Sequence, residues 1–171
     1  MEDLNQVTVA DMMLCRDRRA AYQNELIENY HQPVVSFCLN IPGPVKTDEE
    51  IRRAFETGKE EILKALKNTG HDISKTIELH EKTGDELLMA VDCDAKQLKD
   101  LMSRIEDEHA LGRLFDIDVI GLDGMKLSRA RYRTCLICGK QAQDCARART
   151  HSAAELFAKV KEMISGYYAD R

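Results

Sequence analysis

Asp116 and Asp118 stand two residues apart in Gly112-Arg113-Leu114-Phe115-Asp116-Ile117-Asp118-Val119-Ile120-Gly121, a run of β-branched and aromatic residues between glycines. Alternation at period two predicts a strand with Phe115, Ile117 and Val119 on one face and Leu114, Asp116, Asp118 and Ile120 on the other. Two carboxylates are thereby set side by side, roughly 6 to 7 Å apart at the backbone. Aspartate is depleted in strands, and such a pair among apolar neighbours repels itself unless water or a cation neutralises it. A hard divalent ion held by one or two carboxylates and completed by substrate phosphates is the economical answer, so magnesium is expected here. The plainer alternative is an exposed strand with an acidic outer face, against which Leu114 and Ile120 argue.

A second group is Cys135, Cys138, Cys145 and His151, with the spacing C-x2-C-x6-C-x5-H. Three thiolates and an imidazole can close a tetrahedral zinc site, structural rather than catalytic because no position is left for water. Free cysteines around a substrate pocket are the competing reading. The chain has six cysteines in all, Met1-Glu2-Asp3-Leu4 does not open a signal peptide, and no apolar run approaches membrane-spanning length. These features point to a cytoplasmic address, no membrane contact, and thiols or metal ligands rather than disulfides.

Charge narrows the ligand. The net charge is −5, yet residues 126–149 hold seven basic side chains (Lys126, Arg129, Arg131, Arg133, Lys140, Arg147 and Arg149) against the single acid Asp144. A basic segment on an otherwise acidic chain suits a confined polyanion such as a triphosphate, or an acidic protein partner. General nucleic-acid binding is disfavoured by the acidic remainder and by an aromatic content of 5%, too sparse for base stacking.

These side chains need elements to position them. Thr8, with Asp11 three residues on, caps a helix expected from about Val9 to Tyr30, whose apolar stripe is Val9, Met12, Met13, Ala20, Leu26, Ile27 and Tyr30. Arg16 and Gln23 interrupt that stripe and Arg19 borders it, so each must meet a polar or anionic group, either a core acid or a ligand. Pro33 to Asn40 reads as a buried strand ended by Ile41-Pro42-Gly43-Pro44. Lys46 follows, ahead of a capping box of Thr47 and Glu50 that opens a helix to about Leu66, and a lysine at a helix N-terminus can cradle phosphate. Ile51, Phe55, Ile62 and Leu66 form the buried side of that helix, with Gly58 allowing a close approach. Two strands, about His71 to Glu81 and Glu86 to Asp92, join through Lys82-Thr83-Gly84-Asp85. Asp94 caps the next helix, which carries Leu98, Leu101, Met102 and Ile105. A last helix, about Ser152 to Tyr168, packs Leu156, Val160, Met163, Ile164 and Tyr167.

The order strand, helix, strand, strand, helix, strand is the split βαβ pattern of a ferredoxin-like sandwich, an α+β fold in which the fourth strand lies antiparallel beside the first. That arrangement sets Asp116 and Asp118 against the strand ending at Asn40. A chain of 171 residues is expected to form one domain. Within it an N-terminal helix reaches residue 31, the α+β core spans 32–121, and a basic Cys/His-bearing segment with its C-terminal helix fills 122–171.

Several motifs recur together from about residue 11 to 157. They are Arg16-Asp17 with Arg19 and Gln23, Val34 to Phe37 leading into Pro42-Gly43-Pro44 and Lys46, Glu108-His109, and Gly112-Arg113-Leu114. Asp116-Ile117-Asp118-Val119, Ser128-Arg129, Cys135-Leu136 with Cys138, and Cys145-Ala146-Arg147 with His151 complete the set. The combination resembles the apo-citrate lyase phosphoribosyl-dephospho-CoA transferases, the holo-acyl-carrier-protein synthases of citrate lyase. The resemblance implies a nucleotidyltransferase-type enzyme. Its substrate would be triphosphoribosyl-dephospho-CoA, its acceptor a serine of the apo acyl carrier (gamma) subunit of citrate lyase, and its by-product pyrophosphate. The serine hydroxyl would attack the α-phosphorus while metal and basic side chains hold the departing pyrophosphate. Charge and position then suggest roles: Asp116 and Asp118 for magnesium, and His109 or one aspartate for the serine proton. Arg16, Arg19, Gln23, Lys46, Arg113, Arg129 and Arg147 are candidates for triphosphate and carrier contacts. The rival reading is a non-enzymatic, zinc-bearing interaction module that binds an acidic protein through residues 126–149 and needs no ion at the aspartates.

Overall fold

The structure, a computed structural model, describes residues 5–171. Met1-Glu2-Asp3-Leu4, expected not to open a signal peptide, lies outside that range. Helix α1, Val9–Tyr30, has the expected bounds, opened by a Thr8–Asp11 capping box and closed by His31 in the left-handed conformation. Then come β1 (Val34–Leu39), α2 (Glu49–Asn68), β2 (Ile73–Glu81), β3 (Gly84–Val91), α3 (Ala95–Glu108), a 3-10 turn (Gly112–Leu114), β4 (Phe115–Ile120), α4 (Ala142–Ala148) and α5 (Ala153–Ala169).

The strands form one sheet in the order β2-β3-β1-β4, and every neighbouring pair is antiparallel. Among the described residues this is a mixed α/β architecture of five α-helices and a four-stranded antiparallel sheet. One face of the sheet (Val35, Phe37, Met89, Phe115, Ile117, Val119) buries against α2, α3 and α5 through Phe55, Ile62, Leu98, Met102, Val160 and Ile164. On the opposite face Val34, Leu88, Ala90 and Ile120 meet Leu26 of α1. Gly58 is what lets α2 settle onto β1. A Cβ there would lie 2.4 Å from the Phe37 ring, which stacks on Phe55 with centroids 5.0 Å apart. The β2–β3 hairpin turns through Lys82 and Thr83 into Gly84, whose φ of +115° only glycine adopts without strain.

Several local expectations shift. The cap of α2 is Asp48, whose carboxylate accepts from Ile51 N–H at 2.8 Å; the neighbouring Thr47 instead hydrogen-bonds the Asp85 side chain. Leu114 belongs to the 3-10 turn rather than to the acidic face of β4. The apolar stripe of α1 holds at its C-terminal end, where Leu26, Ile27 and Tyr30 pack on the sheet, but not at its start: Val9 and Met13 are exposed and Cys15, outside the expected stripe, is buried, for a reason that lies in the sheet beneath it. No element was expected at Ala142–Ala148, where the chain forms the short helix α4. Among the described residues no helix is long and apolar enough to cross a membrane.

β4 is an edge strand, and its free backbone groups are covered by charged side chains. Ile117 N–H donates to Glu106 at 2.9 Å, Lys99 Nζ donates to Ile117 C=O at 3.0 Å, and Arg133 donates to Phe115 C=O at 2.8 Å. An edge closed in this way cannot recruit a foreign strand.

Candidate active site

The register of the sheet builds the site. On the face toward α1, Glu86, Cys38 and Asp116 form one row across β3, β1 and β4, and Leu88, Ser36 and Asp118 form the next. A sheet face this polar requires a polar helix face over it, which is why the expected apolar stripe fails along the first half of α1. Arg19 and Arg18 ion-pair with the buried Glu86, the Cys15 thiol donates to the same carboxylate at 3.4 Å, and Gln23 donates to Ser36 Oγ at 3.0 Å. Internal partners therefore account for Gln23 and for much of Arg19.

The two aspartates differ in environment. Asp118 is ion-paired with Lys126 at 3.0 Å, and although burial lowers the Lys126 ammonium's pKa, the hydrogen bond to Asp118 overrides it and holds the pKa up. Asp116 has no ion pair among the described residues; its one side-chain neighbour within hydrogen-bonding range is the Cys38 thiol, 4.0 Å from Oδ2. Burial, then the adjacent Asp118 charge, raise the Asp116 carboxyl above the usual carboxylate range. Burial and the Asp116 charge in turn push the Cys38 thiol up to about 12, so it stays protonated and can donate.

Asp116 lies where two cation-lined cavities meet. A cavity of about 620 Å³ runs along β4 with Lys99, Lys126, Arg131 and Arg133 in its walls. A smaller one of about 170 Å³, under the start of α1, is walled by Arg16, Arg19 and Lys46, with Asp85 and Glu86 on its β3 side. Asn40 connects the smaller cavity to a third, mostly apolar one of about 630 Å³, lined by Pro42, Leu136 and Leu156 with Arg113 and Arg149 at its rim. Two neighbouring carboxylates, one lacking a cationic partner, between walls suited to phosphate are a donor set that fits magnesium.

The structure thus brings Asp116, Arg16, Arg19 and Lys46 together at the smaller cavity, while Asp118 shares only the larger one with Asp116; Lys46 donates to Ile41 C=O at 2.6 Å and its pKa is lowered by burial and by Arg16. Arg129 lines the large cavity, but its guanidinium is taken up by Glu106 and Asp107. His109 is separated from the aspartates. Its ring stacks on Phe115, on the opposite face of β4, and its Nδ1 accepts from Leu111 N–H at 3.0 Å. Burial lowers its pKa, which suits a neutral packing ring. Arg113 donates to Thr134 C=O and faces the apolar cavity, while Arg147 is exposed on α4 and lines none of the three cavities. Spacing alone did not single out Lys99, Glu106, Lys126, Arg131, Arg133 or Cys38. Lys126, Arg131 and Arg133 sat within the basic segment, but nothing in the sequence indicated that Lys99 and Glu106, on α3, face the edge of β4.

A family model described as "Apo-citrate lyase phosphoribosyl-dephospho-CoA transferase" matches residues 7–167. A relative in Citrobacter koseri carrying that description is 33% identical, over 92% of this chain and 88% of its own length. One in Vibrio cholerae serotype O1, described as a probable member, is 37% identical over 94% and 93%, and one in Escherichia coli O139:H28 is 32% identical over 93% and 89%. The chain belongs to the apo-citrate lyase phosphoribosyl-dephospho-CoA transferase family.

Proposed function

We propose that the chain matures citrate lyase by transferring a phosphoribosyl-dephospho-CoA unit from triphosphoribosyl-dephospho-CoA to a serine of the apo acyl carrier subunit, as a nucleotidyltransferase-type enzyme. The observation that carries this reading is the unpaired carboxylate of Asp116, set between two cation-lined cavities. The strand order supports a ferredoxin-like core, with β3 between β1 and β2 and β4 against β1.

Asp116 and Asp118 would hold Mg2+, which when bound neutralises charge on the phosphate chain. Arg16, Arg19 and Lys46 bind the pyrophosphate portion in the small cavity, and Lys99, Lys126, Arg131 and Arg133 bind the rest of the nucleotide along β4. The apolar cavity takes an uncharged part of the substrate or of the carrier. In the transfer, serine Oγ forms a bond to the α-phosphorus, the bond from that phosphorus to the bridging oxygen breaks, and pyrophosphate leaves with the electron pair. With His109 on the far side of β4, the serine proton passes to one of the two aspartates. Family membership and the unpaired Asp116 both weigh against the rival interaction-module reading.

The test is to incubate the chain, Mg2+ and the precursor with apo carrier and weigh the carrier. The expected result is one added prosthetic group on the carrier, none on a carrier whose acceptor serine is alanine, and an equal yield of pyrophosphate. An unchanged carrier mass would refute the proposal.

A further inference from the structure

Cys135, Cys138, Cys145 and His151 each offer one ligand atom, and these four atoms all lie within 4.8 Å of one another. Zinc–sulfur bonds of about 2.3 Å at tetrahedral angles place ligand atoms roughly 3.8 Å apart, so the side chains need move little to enclose an ion. The Cys138 and Cys145 sulfurs are already 3.4 Å apart.

The backbone is shaped for the same end. Cys135 N–H donates to Lys140 C=O at 2.6 Å, Gly139 N–H donates to Cys135 C=O at 3.2 Å, and Thr134 bridges to Gln141. Cys135 and Cys138 thus sit on a tight knuckle, closed by Gly139 at φ +71°. α4 presents Cys145, and Arg149, in the left-handed conformation, ends that helix and turns the chain toward His151, with Thr150 N–H donating to Cys145 C=O at 3.1 Å. His151 Nε2 is buried and has no hydrogen-bond partner. A buried imidazole nitrogen left without a partner beside three free thiols is costly unless something coordinates it. All four positions are protein ligands, and none of the two cation-lined cavities includes any of them.

We infer that Cys135, Cys138, Cys145 and His151 bind one structural zinc ion, which fixes the basic segment as a wall of the apolar cavity. Cys135, Cys145, His151 and the adjoining Leu136 all line that cavity. The knuckle also follows directly on Arg133, which caps Gly112 and Phe115 at the start of β4. Without the ion, the chain between Arg133 and α5 loses its cross-link. This inference does not depend on the transferase reading, because metal content is measured without substrate.

The experiment is elemental analysis of the reduced full chain, paired with cobalt substitution. One zinc per chain is expected, with cobalt giving thiolate charge-transfer bands and intense tetrahedral d–d bands. Cys138→Ser and His151→Ala should lose the stoichiometric metal. His151→Cys, which keeps a ligand at that position, and Cys93→Ser, which removes an unrelated thiol, should retain it. Stripping the zinc should lower the melting temperature and open residues 134–151 to protease. A zinc-free reduced chain without cobalt bands would overturn the inference, as would full metal content in both Cys138→Ser and His151→Ala. If Cys138→Ser fails to fold, the cobalt spectrum of the unmodified chain decides.

Discussion

Asp116 and Asp118 occupy alternate positions of one strand, yet their surroundings divide the work between them. Lys126 neutralises Asp118, whereas Asp116 is left with a protonated thiol and its neighbour's negative charge. Because the folded-state pKa of Asp116 is raised above its unfolded value, the stability it contributes is present below the unfolded value and is lost as pH rises through the folded one. Asp116→Asn is therefore expected to be more stable than the unmodified chain at neutral pH, the gap closing as pH falls below the carboxylate range. The same substitution should reduce transfer by about 10² to 10⁴-fold. Thermal melts across pH, beside rate measurements, check both signs. Arg16 is a different case, exposed and without an ion pair among the described residues. Arg16→Ala is predicted to weaken equilibrium binding of the triphosphate while leaving the melting temperature nearly unchanged; a large fall in melting temperature with unaltered binding would assign it to the fold.

At the scale of elements, α1 acts as a polar cover for the half of the sheet that carries the acids. Its centre is the Glu86 cluster, where one buried carboxylate serves Arg18, Arg19 and Cys15. Removing a buried partner strands the remaining charges, so Glu86→Ala should cost about 3 kcal/mol in urea denaturation. The contact between α2 and the sheet is set by the absence of a side chain at Gly58. Gly58→Ala presses a methyl group into the Phe37 ring and should cost about 1 to 3 kcal/mol without touching the site. These elements also show what could be read beforehand. The start of α1 and the Asp94 cap followed from local capping chemistry, which depends on residues three apart in sequence. The break of the apolar stripe along the first half of α1 did not, because it is decided by Glu86 and Ser36 some distance along the chain. α4 has only seven residues, too few for a periodic pattern to register.

Across the whole molecule, the charge asymmetry noted in the sequence becomes a spatial arrangement. Lys126, Arg131 and Arg133, contributed by the basic segment, fold back along the edge of β4, where Lys99 and Glu106 of α3 also arrive. The expected position of β4 beside β1 was what allowed the paired aspartates to be set against the strand that ends at Asn40. The separation of His109 was not foreseeable from its nearness to Gly112, since the 3-10 turn Gly112–Leu114 stands between it and β4 and its ring lies against Phe115 on the core face. The measurement that bears most directly on the account is pyrophosphate release in a single turnover, with precursor, apo carrier and Mg2+ supplied to the unmodified chain and to Asp116→Asn. The account predicts stoichiometric release by the unmodified chain and a rate at least about 100-fold lower for the variant, its fold intact. Equal rates for the two would contradict it.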